Sequence, residues 1–182
     1  EFELPKPESM MAMSRETLRS RAEWLRRLRE FFWERSFIEV ETPVVSRDTV
    51  IDLHIDPIPL SLPGRSFRFY LQTSPEYLMK RLLMLGEPAI FQIAHSFRAE
   101  ETGFQHNPEF TMLEAYQAYT DFSGMMELTQ GLIQHVAKTV IGSLEVARPD
   151  GSTIHLDGEW REAKYKDLII EATGDEDWFS YS

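Results

Sequence analysis

From Ser14 onward the apolar positions Leu18, Ala22, Leu25, Leu28 and Phe32 return every three or four residues, with arginines crowding the other side. That spacing predicts an amphipathic helix running to about Arg35 with Ser14 as its N-cap. The stretch before it, EFELPKPES, carries two prolines and several charges without any apolar period. Residues 1–13 are therefore expected to form a flexible arm, and 14–182 one domain. FIEVETPVV alternates and stops at Pro43, the pattern of a short strand ending in an extended turn. An irregular stretch to about Arg65 precedes the aromatic-rich strand SFRFYLQT. This feeds a helix in SPEYLMKRLLMLG, with Ser74 at the N-cap, Pro75 at the first helical position and Gly86 just past the end.

Farther on, AIFQIAHSFRAE and EFTMLEAYQAYT both alternate and are joined by the polar, turn-rich ETGFQHNP, which predicts a long hairpin. Phe110, Met112, Glu114, Tyr116 and Ala118 then share one face of its second strand. FSGMMELTQGLIQHVAKTVIG is expected to be a second amphipathic helix, Asp150-Gly151 the tip of a small hairpin, and REAKYKDLIIEATG a final helix. The element order lacks the strict strand–helix alternation that a parallel sheet requires. An antiparallel α+β domain follows, with the strands around Phe69, Ile93 and Met112 in one sheet, flanked by the first helix and the helix after Ser74.

Composition narrows the chemistry. The 182 residues are 42% hydrophobic, as in a globular domain, and contain no cysteine, so disulfides, thiolate metal sites and cysteine nucleophiles are excluded. No run of about 18 uncharged apolar residues occurs, and a soluble, cytoplasmic protein is expected. With 19 Lys+Arg against 30 Asp+Glu the formal net charge is −11, which opposes a long-range pull toward a nucleic-acid backbone. Glycine-rich phosphate cradles, GxSxG and HExxH are all absent.

The hairpin concentrates the remaining candidates. Arg98 and Glu100 lie two apart on one strand, as Glu114 and Tyr116 do on the other. Exposed cross-strand ion pairs are the simpler explanation for such charges. Against it stands the company of Phe110 and Met112 on the face of Glu114, since a carboxylate on an apolar face is costly unless it meets a cation from the protein or a ligand. His106 and Asn107 suit an ordinary hairpin tip equally well. A helix with Leu25, Leu28 and Phe32 on one face and Trp24 and Phe31 beside it exposes more apolar surface than a monomer leaves bare, which points to a two-fold dimer.

These segments also resemble a known family. SFRAEETGFQHNPEFTMLEAYQAY resembles motif 2 of class II aminoacyl-tRNA synthetases, and its HNPEFTMLE portion is similar to the lysyl subgroup. FFWERSFIEVETPVV resembles motif 1, which builds the dimer interface in that class, and LQTSPEYLMKRLL resembles the lysyl amino-acid-binding segment, with TSPEY in place of the usual TAPEL. TVIDLHIDPI together with TSPEYLMKRLL is most similar to the shortened lysyl-type branch that ligates a lysine derivative to elongation factor P. The resemblance covers roughly Arg15 to Asp121. It departs at Ser36, where motif 1 usually has glycine, at Ala99, where the FRNE pattern has asparagine, and in having no motif 3.

The resemblance implies a class II synthetase-like antiparallel sheet and formation of an aminoacyl-adenylate from ATP and a lysine-like amino acid. By position, Arg98 is the catalytic group, holding the α-phosphate. Glu100 and Asn107 fix ATP, His106 lies near its phosphates, and Phe110 stacks on adenine. Ser74 and Glu76 lie by the substrate's α-amino group, and Glu114 with Tyr116 serves its cationic end. Motif 3 supplies a second arginine and the carboxylates for Mg2+, so no metal ligand is assigned within this sequence and its ATP site is expected to be incomplete. The acceptor implied is elongation factor P; charging of tRNA is the alternative within the family, and a catalytically silent binding module is the alternative outside it.

Overall fold

The computed structural model describes residues 14–99, 103 and 106–180. The expected N-terminal arm lies outside them. Helix α1 (Arg15–Trp33) begins where the pattern places it, with Ser14 Oγ accepting the Thr17 N–H at 3.0 Å. Its end is a Schellman closure: Ser36 N–H donates to the Trp33 carbonyl and Phe37 N–H to the Phe32 carbonyl, both at 3.0 Å, while Ser36 sits in the left-handed region at φ 61°. The Phe37 ring then packs edge-on against Phe32 at 5.1 Å between centroids. The glycine usual at this place in motif 1 thus has a backbone reason, and Ser36 occupies the same conformation without it.

The hairpin follows the reading closely. Strands β5 (Ala89–Phe97) and β6 (Glu109–Gln117) pair antiparallel from Ala89↔Gln117 to Phe97↔Glu109. The first short strand, β1 (Ile38–Glu39), joins the other edge of β5, but in parallel. Alternation divides this sheet into two faces. Ala89, Phe91 and Ile93 with Leu113 and Ala115 pack against Phe31, Phe32 and Phe37 of the α1 region and against Leu128 and Leu132 of α3 (Phe122–Val136). Phe91 lies stacked on Phe32, centroids 4.6 Å apart, and Phe31, Phe32 and Phe91 are all essentially inaccessible to solvent. Phe31 and Phe32 belong to this core and are not available to an intermolecular surface; Trp24 and Trp33 remain exposed.

The strand expected beside Ile93 and Met112 is elsewhere. β4 (Phe69–Leu71) forms a separate antiparallel sheet between β2 (Val45–Ser46) and β3 (Pro59–Leu60). The two sheets meet where Phe97 N–H donates to the Gln72 carbonyl at 2.9 Å. Helix α2 (Glu76–Leu83) starts one residue later than expected, with Pro75 in the preceding position. The second amphipathic helix ends in a π turn, Ala137–Ile141, closed by left-handed Gly142. The small hairpin pairs β7 (Glu145–Ala147) with β8 (Thr153–His155), and α4 (Tyr165–Thr173) is the last helix. Among the described residues no helix is long and apolar enough to cross a membrane.

The left-handed Ser36 generates a stability test. A non-glycine residue there costs about 1–2 kcal/mol, whereas glycine adds about 0.5–1 kcal/mol of unfolded-state entropy to be lost. Ser36→Gly is therefore expected to stabilise the chain by up to about 1 kcal/mol in denaturant unfolding at unchanged slope. A clear loss of stability would show that the left-handed turn is not strained.

Candidate active site

The face of the hairpin turned away from the phenylalanine core carries Ile90, Gln92, Ala94 and Ser96 on β5, facing Tyr116, Glu114, Met112 and Phe110 on β6. The β5 members are buried, and those of β6 are half-buried. Glu114 therefore stands on a poorly hydrated face of mixed polarity, with Gln92 directly opposite and Met112 and Tyr116 on either side along the strand. The register is what brings the expected amino-acid residues together there. Ser74, at the start of α2, donates its hydroxyl to Glu114 Oε1, and Tyr116 donates its phenol to Glu114 Oε2 at 2.8 Å. Ser74 Oγ in turn accepts the Glu76 N–H at 3.1 Å. The N-cap of α2 is Pro75 and not Ser74 as expected, because the helix begins at Glu76; the Ser74 hydroxyl instead holds the first helical amide from one residue farther out. One hydroxyl ties the first residue of α2 to the carboxylate at the middle of β6.

Both oxygens of Glu114 are engaged by neutral donors, and no Lys, Arg or His among the described residues forms an ion pair with it. Burial, reinforced by the adjacent Glu114 carboxylate, pushes the Tyr116 phenol well above the ordinary tyrosine range, which keeps it a hydrogen-bond donor. Glu76, by contrast, has a cation: Lys80 Nζ lies 2.5 Å from its Oε1, one helical turn on. Sequence reasoning passed over Lys80, although the Glu76-x-x-x-Lys80 spacing is the signal for such a pair.

The nucleotide-side residues gather nearer the hairpin tip. Arg98 N–H continues the ladder to the Pro108 carbonyl at 2.9 Å, and its guanidinium carbon lies 5.1 Å from the Phe110 ring centroid. Ala99 N–H is held by the Asp56 carbonyl at 2.8 Å, tying the loop before β3 to this end of the hairpin. His106 and Asn107 are exposed, and the His106 backbone pairs with Gly103 across the tip. Glu100 lies outside the described residues. Phe110 and Glu114 are four residues apart on one strand face, about 13 Å at the rise of a β-strand. The face thus offers a cationic and aromatic end and an anionic end. Among the described residues no group of three His, Cys, Asp or Glu is placed to hold a metal ion.

Residues 9–178 match the family described as tRNA synthetases class II (D, K and N). A lysine–tRNA ligase of Carboxydothermus hydrogenoformans is 38% identical over 169 residues, covering 88% of this chain and 32% of that protein. An elongation factor P–(R)-beta-lysine ligase of Actinobacillus succinogenes is 44% identical over 125 residues, covering 66% of this chain and 39% of that protein, and one from Vibrio cholerae matches to the same extent. The chain therefore spans about a third of the length of the curated relatives it matches. With the hairpin and the motif 2 side chains arranged as described, the chain belongs to the class II tRNA synthetases of the D, K and N group.

Proposed function

We propose that this chain is the lysine-binding and ATP-binding part of a ligase that activates lysine or a lysine isomer as an aminoacyl-adenylate and transfers it to a lysine of elongation factor P. The observation that carries the reading is Glu114, a half-buried carboxylate held by Ser74 and Tyr116 and lacking a cation of its own. A substrate ammonium supplies the charge that such a site otherwise leaves uncompensated. Glu76 serves the α-amino group. The substrate carboxylate then points along the sheet face toward Arg98, attacks the α-phosphorus of ATP and releases pyrophosphate. Arg98 stabilises the charge that builds on the phosphoryl oxygens.

The donor set suits ATP, since Arg98 offers a guanidinium fork for phosphate and Phe110 an aromatic face beside it. Asn107, His106 and Glu100 complete the nucleotide assignment.

For the acceptor, the higher identity to the elongation factor P ligases and the net charge of −11 support a protein over a polyanion. Transfer to tRNA is the second reading, supported by the longer stretch shared with the lysine–tRNA ligases. Incubation with labelled lysine, ATP and each acceptor separates the two. Label on elongation factor P supports the first and label on tRNA alone the second, and absence of both adenylate and ligand binding points to a silent module. A two-fold dimer through the motif 1 segment, with exposed Leu18, Trp24 and Ile38 as its apolar surface, belongs to the same proposal. Light scattering at micromolar concentration should give twice the chain mass, and a monomer would count against it.

Two substitutions test the site assignment. Glu114→Gln keeps the shape and removes the charge, so lysine affinity should fall about a hundredfold, roughly 2–4 kcal/mol, with ATP binding little changed. In the full-length ligase, Arg98→Ala should slow adenylate formation far more than it weakens lysine binding. Unchanged lysine affinity in Glu114→Gln would remove the amino-acid pocket from this face. A third test concerns Tyr116. Its neutral form is favoured in the fold, so the stability it adds is fully present below the ordinary tyrosine pKa and is lost as pH rises through the higher folded value. The tyrosinate absorbance gained by the native chain on alkaline titration should therefore be the same in wild type and Tyr116→Phe. A smaller gain in the variant would mean that Tyr116 ionises normally.

A further inference from the structure

Ser74 Oγ links the Glu76 backbone amide to the Glu114 carboxylate, and among the described residues only Glu76 of these two glutamates is ion-paired, with a cation from the next turn of the same helix. Taken alone, Glu76–Lys80 is an ordinary (i, i+4) pair in the favourable orientation. Its position makes it more than that. Glu76 is the first residue of α2, its backbone amide donates to Ser74 Oγ, and Ser74 donates to Glu114, so a hydrogen-bonded path through one hydroxyl ties the Glu76 backbone to the Glu114 carboxylate. The Lys80 charge is held chiefly by Glu76, whose hydrogen bond and charge raise the ammonium's pKa, and Glu114 adds to that pull. An α-ammonium that is to contact Glu76 meets an oxygen already taken by Lys80 Nζ at 2.5 Å. The Lys80 side chain is 54% exposed, so its flexible four-carbon stem can carry the ammonium out into solvent at little cost.

We propose that Lys80 is an internal counter-ion that occupies the α-ammonium position on Glu76 in the empty site and is displaced by the substrate. Lys80 thereby helps set how strongly the site distinguishes amines with an α-ammonium from those without one. The inference rests on the amino-acid reading proposed above. In the empty site Lys80 offsets the charge of Glu76 and, more weakly, that of Glu114, and in the filled site the substrate does so instead. Lys80 is a positioning residue in this scheme and takes no part in bond making.

The test is a calorimetric titration of wild type, Lys80→Met and Lys80→Arg with L-lysine and with ε-aminocaproate, which keeps the distal ammonium and the carboxylate but has no α-amino group. Lys80→Met preserves the apolar stem and removes the competitor. It should bind lysine about two- to fivefold tighter, the range expected when an exposed ion pair no longer has to be broken, with a distinctly smaller change for ε-aminocaproate. Lys80→Arg should restore the wild-type ratio. Equal changes for both ligands would reduce Lys80 to a general contribution to the local field, and weaker lysine binding in Lys80→Met would make it a supporting group; either result overturns displacement. Unchanged lysine affinity in Lys80→Met, with lysine bound normally by the wild type, overturns this inference alone. Wild type binding neither compound overturns the amino-acid pocket and this inference with it.

Discussion

The arrangement depends on the register of one hairpin. Nine cross-strand pairs between β5 and β6 assign every side chain of those strands to one of two faces, and a slip of a single residue would exchange the faces. On one side the assignment gives Phe91, Ile93, Leu113 and Ala115 to the phenylalanine core. On the other it gives Glu114, Tyr116 and Phe110 to a surface that the helices of the core do not cover. The same ladder that buries Phe91 against Phe32 therefore also holds the carboxylate where Ser74 can reach it. Packing and chemistry are coupled through the alternation of a strand, and the aromatic core is the anchor that keeps the register from drifting.

The second determinant is how the chain enters α2. The Ser74 hydroxyl accepts from the Glu76 amide and donates to Glu114, so a helix start is anchored directly on a strand. Each of these bonds is worth only about 1 kcal/mol in net stability, rather more where an acceptor is charged. Their greater effect is geometric, because the orientation of Glu76 follows from the position of Glu114. The Tyr116 phenol on the second Glu114 oxygen, kept protonated by burial and by that same carboxylate, fixes the group from the other side. Rigid donors on both oxygens leave the charge itself as the part of the site still open to a ligand.

Much of this is legible in the sequence because it rests on period and on local capping. Nineteen residues of α1, the Ser14 cap, both long strands and the Asp150-Gly151 hairpin follow from patterns contained within each segment. Placing Glu114 and Tyr116 beside Phe110 and Met112 needed only the two-residue repeat of a strand. What stayed hidden depends on partners far along the chain. β4 is three residues long, and its sheet is decided by the two-residue strands β2 and β3, too short to carry a period of their own. The π turn at Ala137–Ile141 follows an unbroken helical pattern and leaves no mark in it. Ser36 could be noted as a departure from a glycine, but only the backbone shows that the position is left-handed. Lys80 was visible as a spacing, and its relevance appeared only when the Glu76 backbone amide and the Glu114 carboxylate proved to meet on the Ser74 hydroxyl.

The central claim is that one sheet face carries two separable ends, an anionic one at Glu114 and a cationic, aromatic one at Arg98 and Phe110. Backbone amide spectra of the labelled chain, recorded with lysine alone and with ATP alone, test it most directly. Lysine should shift Ser74, Glu76, Glu114 and Tyr116 while leaving Arg98 and Phe110 near their free positions, and ATP should do the converse. Shifts from lysine confined to α1 or α3, or the same residues moving with either ligand, would contradict the division of the face into two ends.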